Sequence, residues 1–417
     1  MLNLSSLFFS SNPKNRSVEE NWINFKHALS DGINQFIPQK SSRPRFNLPW
    51  ITLNIKREMR RKDRLHKKAV QTKKSQHWNS FKYQRNHVSK LIKQSHENYL
   101  NNIIGSSLTE NPKKFWSYVK NSKSESIGIP PLKSNCTVSI SDKDKAETLN
   151  SYFFSVFTCE QLPSPSMGQS PYEPITDLQI SPDGVAKQLS DLNLQKACGP
   201  DEIPARVLKE IAQSVSQWLA FIFQQSFDHN AIPTDWSQAL VTAVLKNNSK
   251  SNPANYRPIL LTCICCKIME HIVLSHMAKH LSANNILIDE QHGFRKNRSC
   301  ETQLISTIHD WGKSVNLRNQ TDVILLEFKK AFDSVPHERL LTKLDYYGIR
   351  GNTRTWIKAF ITNRSQIVSI NGTHSSSKPV ISGVPQGSIL GPVLFLLYIN
   401  DISNNIQVYI SLLMIVF

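Results

Sequence analysis

Residues 321–337 read T-D-V-I-L-L-E-F-K-K-A-F-D-S-V-P-H and set one carboxylate, Glu327, at the end of a β-branched and leucine run. Such a run predicts a buried strand. A carboxylate at its end is a candidate ligand for a hard divalent cation, which takes oxygen donors in near-octahedral geometry. The same residue also fits a strand-end acid facing water. Lys329 and Lys330 follow, in a short segment closed by Pro336. A second stretch, residues 381–401, reads I-S-G-V-P-Q-G-S-I-L-G-P-V-L-F-L-L-Y-I-N-D. It is read as a strand end, a Pro-Gln-Gly turn and an apolar helix entered at Gly391 and Pro392.

The elements that must position these residues lie upstream. Residues 239–245 form a short β-rich run ending at Lys246, and N-Y-R-P-I at 255–259 follows a polar turn. Helices are expected over 267–281 and 301–315, with Arg295, Lys296 and Arg298 between them. With K-A-C-G-P-D-E-I-P at 196–204 and Q-H-G-F-R-K-N-R-S-C at 291–300, five blocks stand in one order. Together they resemble the polymerase of a non-LTR (LINE-type) retrotransposon of the jockey-like kind, a reverse transcriptase.

That resemblance implies nucleotidyl transfer to a primer 3′-hydroxyl by two divalent ions, Mg²⁺ or Mn²⁺, about 3.5–4 Å apart. Its substrates would be an RNA template, a DNA primer and deoxynucleoside triphosphates. Relatives place one aspartate at the position of Glu327 and two more in a Phe/Tyr-Ala-Asp-Asp hairpin. Glu327 therefore matches the catalytic and metal-binding position with a longer side chain, and misplacement by about 1 Å can cost about 10²-fold in rate. Asp333 matches a family acid that is not a metal ligand. Lys246 and Arg257 match the cations that hold the triphosphate, a role suited to a point charge and a bidentate guanidinium. Relatives read Lys-Lys-Gly where this chain has Lys246, Asn247 and Asn248. Phe332 matches the gate against a ribose 2′-hydroxyl; without the resemblance it reads equally as a core phenylalanine. Gln386 and Gly387 match the loop beside the nascent base pair; Arg295, Lys296 and Arg298, by their charge and place between two helices, are candidate contacts to the template backbone. Asp401 in Y-I-N-D-I precedes the expected hairpin and is not a catalytic acid.

The hairpin itself is missing from the 417 residues. After Asn405 the chain reads I-Q-V-Y-I-S-L-L-M-I-V-F. With permitted codons, the frame one nucleotide back across 412–417 encodes Phe-Ala-Asp-Asp, so a frameshift is expected. The resemblance thus implies a truncated and inactive reverse transcriptase, the alternative being a non-catalytic RNA- or DNA-binding protein.

Charge points to the same partner. The chain carries a formal +18 with pI near 9.6, and cations that neutralise phosphates gain from counterion release. Much of the excess sits at 56–93, where fourteen lysines and arginines face only Glu58 and Asp63. Uninterrupted by proline and interleaved with Trp78, Phe81 and Tyr83, this stretch predicts long basic helices. Arg57, Arg60, Arg61, Lys62, Arg64, Lys67 and Lys68 are the candidate nucleic-acid contacts; a solvated charged face is the plainer reading. P-W-I-T at residue 49, N-P-K-K-F-W at 111 and G-I-P-P-L at 128 resemble the linker that follows the endonuclease in these elements, and no endonuclease sequence precedes it here. Seven cysteines without paired spacing fit an intracellular protein, nuclear or cytoplasmic and not secreted. No apolar run is long enough to cross a membrane.

The fold class expected is α+β: a partial right-hand polymerase, with fingers and an incomplete palm, behind a basic, mainly helical region. The divisions expected are 1–160 for the basic linker region, 161–174 for a Pro-rich connector and 175–417 for the polymerase.

Overall fold

A computed structural model describes residues 12–38, 48, 50–101, 128–134, 137–159, 166–195, 197–246, 249–323 and 327–402. The tail over 403–417, on which the frameshift expectation rests, lies outside them, as do Pro49 and the linker motif at 111–116. The chain divides into two compact units, one of residues 1–35 with 128–417 and one of residues 36–127.

The first described α-helix belongs to the larger unit. Ser17 opens α1 (Val18–Phe36) with a capping box: its hydroxyl accepts from Glu20 N (3.2 Å) and Glu20 Oε2 accepts from Ser17 N (2.7 Å). Val18, Trp22, Phe25 and Leu29 then recur at helical spacing and are buried. Trp22 meets Trp236 edge-on at 5.3 Å and its indole donates to Asp235 (2.8 Å), while Phe25 meets Trp218 at 5.3 Å. Grouping by sequence places this helix with the basic stretch; its apolar face instead packs on the unit that carries residues 128–417.

The smaller unit is a helical hairpin, α2 (Leu53–Thr72) and α3 (Ser75–Tyr99). Thr52 caps α2, and Lys73 turns the chain in the left-handed region at φ 53°. Ile55, Ala69 and Val88 are buried in it, with Gln84 donating to Glu58 Oε2 (2.6 Å). Arg57, Arg60, Arg61, Arg64, Lys67 and Lys68 are exposed and Lys62 is half-buried beside Asp63 (3.1 Å).

In the larger unit, β1 (Leu132–Ser134) and β2 (Thr137–Ser139) form a hairpin, followed by α4 (Asp142–Ser155), which Ser141 caps. Next come α5 (Pro182–Ser190), α6 (Ala205–Glu210), α7 (Ala212–His229) and the short α8 (Thr234–Ser237). Apolar spacing alone predicts a single helix over 205–229. Ile211, at φ −105° and ψ 18°, breaks it in two. Strand β3 (Gln238–Leu245), where the sequence has its β-rich run, pairs antiparallel with β4 (Tyr256–Leu261), which carries Y-R-P-I of the N-Y-R-P-I block. Helices α9 (Ile264–Ala283), α10 (Cys300–Asn316), α11 (His337–Tyr346) and α12 (Gly351–Ile361) lead to β5 (Arg364–Ile370). That strand joins β3 in parallel and carries β6 (Thr373–His374) and β7 (Lys378–Val380) antiparallel, before α13 (Gly391–Ile399) closes the described chain.

One sheet face buries Ala239, Val241, Leu260 and Val368 against Leu149 and Phe153 of α4. The main core lies among α1, α5, α7, α9, α11, α12 and α13. The buried strand expected over 321–327 is not found in its described part. Residues 321–323 are exposed and irregular, residues 324–326 lie outside the description, and Glu327 is exposed. An apolar run forms a strand only where neighbours take its backbone groups, and no described strand pairs with 321–323.

Candidate functional site

Two loops singled out by their sequence meet edge to edge. Val384 N donates to Phe332 O (2.8 Å) and Gly383 N to Val335 O (2.7 Å), while Ser382 Oγ donates to Asp333 O (2.7 Å). Gly383 has φ +89°, and a Cβ there would stand 2.7 Å from Phe332 O. Only glycine permits that approach. The same turn is fastened to the sheet, because Leu260 N donates to Gln386 O (3.1 Å) and a Cβ on Gly387 would lie 2.8 Å from Leu260 O.

At the junction, Gln386 Nε2 donates to Asp333 Oδ1 (2.9 Å). Asp333 is 7% exposed and its Oδ2 has no hydrogen-bond partner. Burial pushes its carboxyl up to about 6, against the opposing pull of Lys330 and Gln386. Lys330, held at φ 53°, lies over the Tyr152 ring at 5.3 Å. Burial pushes its amine down; Asp333 pulls it up, and the charges of Lys246, Arg257 and Lys329 push it down further. Four cations therefore share one neighbourhood with a buried acid. A cavity of about 20 Å³, lined in part by Asp333, Arg364, Gln366 and Gln386, adjoins the junction and has room for about one water.

The candidate residues divide by position. Lys246 follows β3, exposed, its N–H bound to Asn255 O (2.7 Å). Arg257 lies in β4 opposite Val244, half-buried. Both lie toward the turn between β3 and β4, whereas Gln386 and Gly387 meet β4 at Leu260, three residues further along the strand than Arg257, and Phe332 adjoins the Pro-Gln-Gly turn through Val384 N. Phe332 stacks on Phe395 at 4.8 Å and meets Phe294 at 6.2 Å, so its ring is half-buried against the core. Arg295 and Arg298 are tied into their own loop: Arg295 Nη1 donates to Ile288 O (2.6 Å), and Arg298 Nη2 to Asp289 Oδ1 (2.8 Å). Asp401 pairs with Lys343.

Sequence reasoning passes over three members. Lys330 reads there only as part of a turn. Asp201, in the G-P-D block, is buried and accepts from the Cys263 thiol (2.8 Å), joining that block to the start of α9. Glu270 is fully buried in α9 and accepts from the backbone N–H groups of Ile389 (2.7 Å) and Leu390 (3.1 Å). A lone acid inside the apolar run I-C-C-K-I-M-E-H-I-V is the signal that could have found it. For a divalent cation the donor set does not fit. Among the described residues no group of three or more His, Cys, Asp or Glu could hold a metal, and Glu327 stands exposed.

Known proteins agree with this arrangement of blocks. The profile of the reverse transcriptase (RNA-dependent DNA polymerase) family matches residues 244–417, and that of the female sterile protein K10 C-terminal domain matches residues 51–114. The chain is 25% identical over 252 residues to the probable RNA-directed DNA polymerase from transposon BS of Drosophila melanogaster, covering 59% of this chain and 26% of the relative. It is 28% identical over 242 residues to the RNA-directed DNA polymerase from mobile element jockey of Drosophila melanogaster, covering 58% and 26%. The corresponding protein of transposon X-element matches at 26% over 235 residues, covering 55% and 25%. The chain thus spans about a quarter of the length of these relatives. It carries a reverse transcriptase domain. More particularly, it is a relative of the RNA-directed DNA polymerases of jockey-like non-LTR retrotransposons.

Proposed function

We propose that this chain is the nucleotide- and nucleic-acid-binding part of such a polymerase, with β3, β4 and α4 acting as fingers and residues 327–402 as part of the palm. The observation that carries this is the gathering of Lys246, Arg257 and Lys329 within electrostatic reach of Lys330, which itself neighbours the buried Asp333 held by Gln386. A cluster of cations offers a triphosphate both bidentate and point-charge contacts. Gly387, whose missing Cβ lets the turn close on Leu260 O, and Gln386, fixed by Asp333, would form the loop beside the nascent base pair. Phe332 would stand beside the sugar, supported from behind by Phe395. The basic hairpin α2–α3 would follow the phosphate backbone of RNA or DNA without reading bases.

Mg²⁺ or Mn²⁺ would supply the phosphoryl chemistry in relatives. The described residues offer no ligand set for it. This favours, as a second reading, a polypeptide that binds primer–template and nucleotide without extending the primer. No described helix is long and apolar enough to cross a membrane, and action inside the cell, in nucleus or cytoplasm, fits a nucleic-acid substrate.

The test is binding of a fluorescent deoxynucleoside triphosphate and of a labelled RNA–DNA primer–template, each measured by anisotropy. Arg257→Ala is expected to weaken nucleotide binding about tenfold or more, as loss of a charged hydrogen-bond partner does. Nucleotide affinity indifferent to both Arg257→Ala and Lys330→Ala would overturn the proposal. Metal-dependent primer extension separates polymerase from binding protein.

A further inference from the structure

Glu270 lies near the middle of α9, where Cys266, Met269, Val273 and Met277 are also buried. A carboxylate in such surroundings is costly unless its oxygens are hydrogen-bonded. Here they are. Oε2 accepts from Ile389 N (2.7 Å) and Leu390 N (3.1 Å), and Oε1 lies 3.8 Å from the Cys266 thiol. The buried guanidinium of Arg364 and the amine of Lys267 contribute positive charge to its surroundings.

The two N–H groups stand at the entrance to α13, where the first amides have no partner within the helix. Their neighbours are provided for separately. Gly391 N donates to Ser388 Oγ (2.9 Å), that hydroxyl donates to Pro385 O (2.9 Å), and Pro392 has no N–H to satisfy. The helix dipole adds a further preference for a carboxylate at this end. A carboxylate suits the position better than an amide would, because it accepts at both oxygens and carries no donor to be left without a partner beside the thiol.

Gln386 is only three residues before Ile389. The turn is therefore gripped from three sides: by β4 through Leu260, by residues 330–335 through Asp333, and by α9 through Glu270. The first two grips bear on the proposed nucleotide face, and the third reaches the turn from the core. We infer that Glu270 is a positioning residue: its carboxylate anchors the entrance of α13 and so sets the Pro385–Gln386–Gly387 turn at the depth where Gln386 meets Asp333. The link to nucleotide rests on the function proposed above; the anchoring of the turn does not.

Two measurements on the full chain keep these apart. Hydrogen–deuterium exchange over residues 385–391 is expected to speed up at least about tenfold in Glu270→Ala, with amides of α7 unchanged, because two buried donors lose their acceptor. Glu270→Gln, which keeps the volume and one acceptor oxygen, should raise exchange there by a smaller factor. Cys266→Ala, which removes only the thiol, should not raise it. Exchange over 385–391 equal to the parent in the glutamate variants, or raised equally throughout the chain, overturns the inference. If Glu270→Ala does not fold, Glu270→Gln decides by the same criterion. Nucleotide affinity is then compared with Arg257→Ala. A loosened turn with weakened binding supports the whole inference. A loosened turn with full binding, where Arg257→Ala does weaken it, overturns the positioning of the turn for nucleotide. Indifference of binding to Glu270→Ala, Arg257→Ala and Lys330→Ala alike removes the proposed function and leaves the anchoring of the turn standing.

Discussion

Replacing Asp333 by asparagine tests the electrostatics of the junction directly. Asp333 is raised by burial from 3.8 to about 6 in the folded chain, so the folded state holds its proton more tightly than the unfolded state does. At about 1.36 kcal/mol per pH unit, this corresponds to roughly 3 kcal/mol. The sign follows from which state binds the proton better. The contribution is fully present below about pH 4, where both states are protonated, and is lost as pH rises through 6, where the folded chain must carry a charge on a nearly buried carboxyl. An asparagine side chain cannot ionise, yet its carbonyl oxygen can still accept from Gln386. Denaturant unfolding of Asp333→Asn and the parent at a series of pH values from about 4 to 8 isolates this group, since titrations common to both proteins cancel. The parent should lose roughly 3 kcal/mol relative to the variant over that range. A stability difference that stays constant across the series would refute the account of a buried, reluctantly ionised acid.

Other outcomes follow from the same structure. Changing Arg57, Arg60, Arg61, Arg64, Lys67 and Lys68 to Gln should make the dependence of log affinity on log salt shallower by up to roughly 4–5 for RNA or DNA, at about 0.7–0.9 for each phosphate no longer neutralised; an unchanged slope would remove the hairpin as the binding surface. Trp22→Ala should cost about 3–5 kcal/mol, because a fully buried indole gives up its core packing and its bond to Asp235; calorimetry showing no loss would mean that α1 does not pack on the larger unit in solution. The 417-residue polypeptide should give no detectable primer extension with Mg²⁺ or Mn²⁺, and Glu327→Asp alone should not change that; measurable extension by either form would sink the reading of a deficient metal site.

Local order was what the sequence alone determined. A β-rich run marked β3, helices were legible at α9 and α10, and the order of short blocks by itself pointed to a reverse transcriptase domain. Composition marked the hairpin α2–α3 as a basic surface, and its arginines do stand exposed. Side-chain pairing across the fold was not legible. Periodicity tells which face of a helix is apolar but not which surface will meet it, so α1 groups by sequence with the basic stretch while its tryptophan seeks Trp236. Residues 321–323 have the composition of a strand, yet no described strand takes their backbone groups. Glu270 and Ile389 are separated by 119 positions, and Asp333 and Gln386 by 53. Only the packing of α9 beneath the Pro-Gln-Gly turn makes a buried acid the acceptor for two amides. A hydrogen bond needs its partners within about 3 Å, and that distance is decided by how the elements pack against one another in three dimensions.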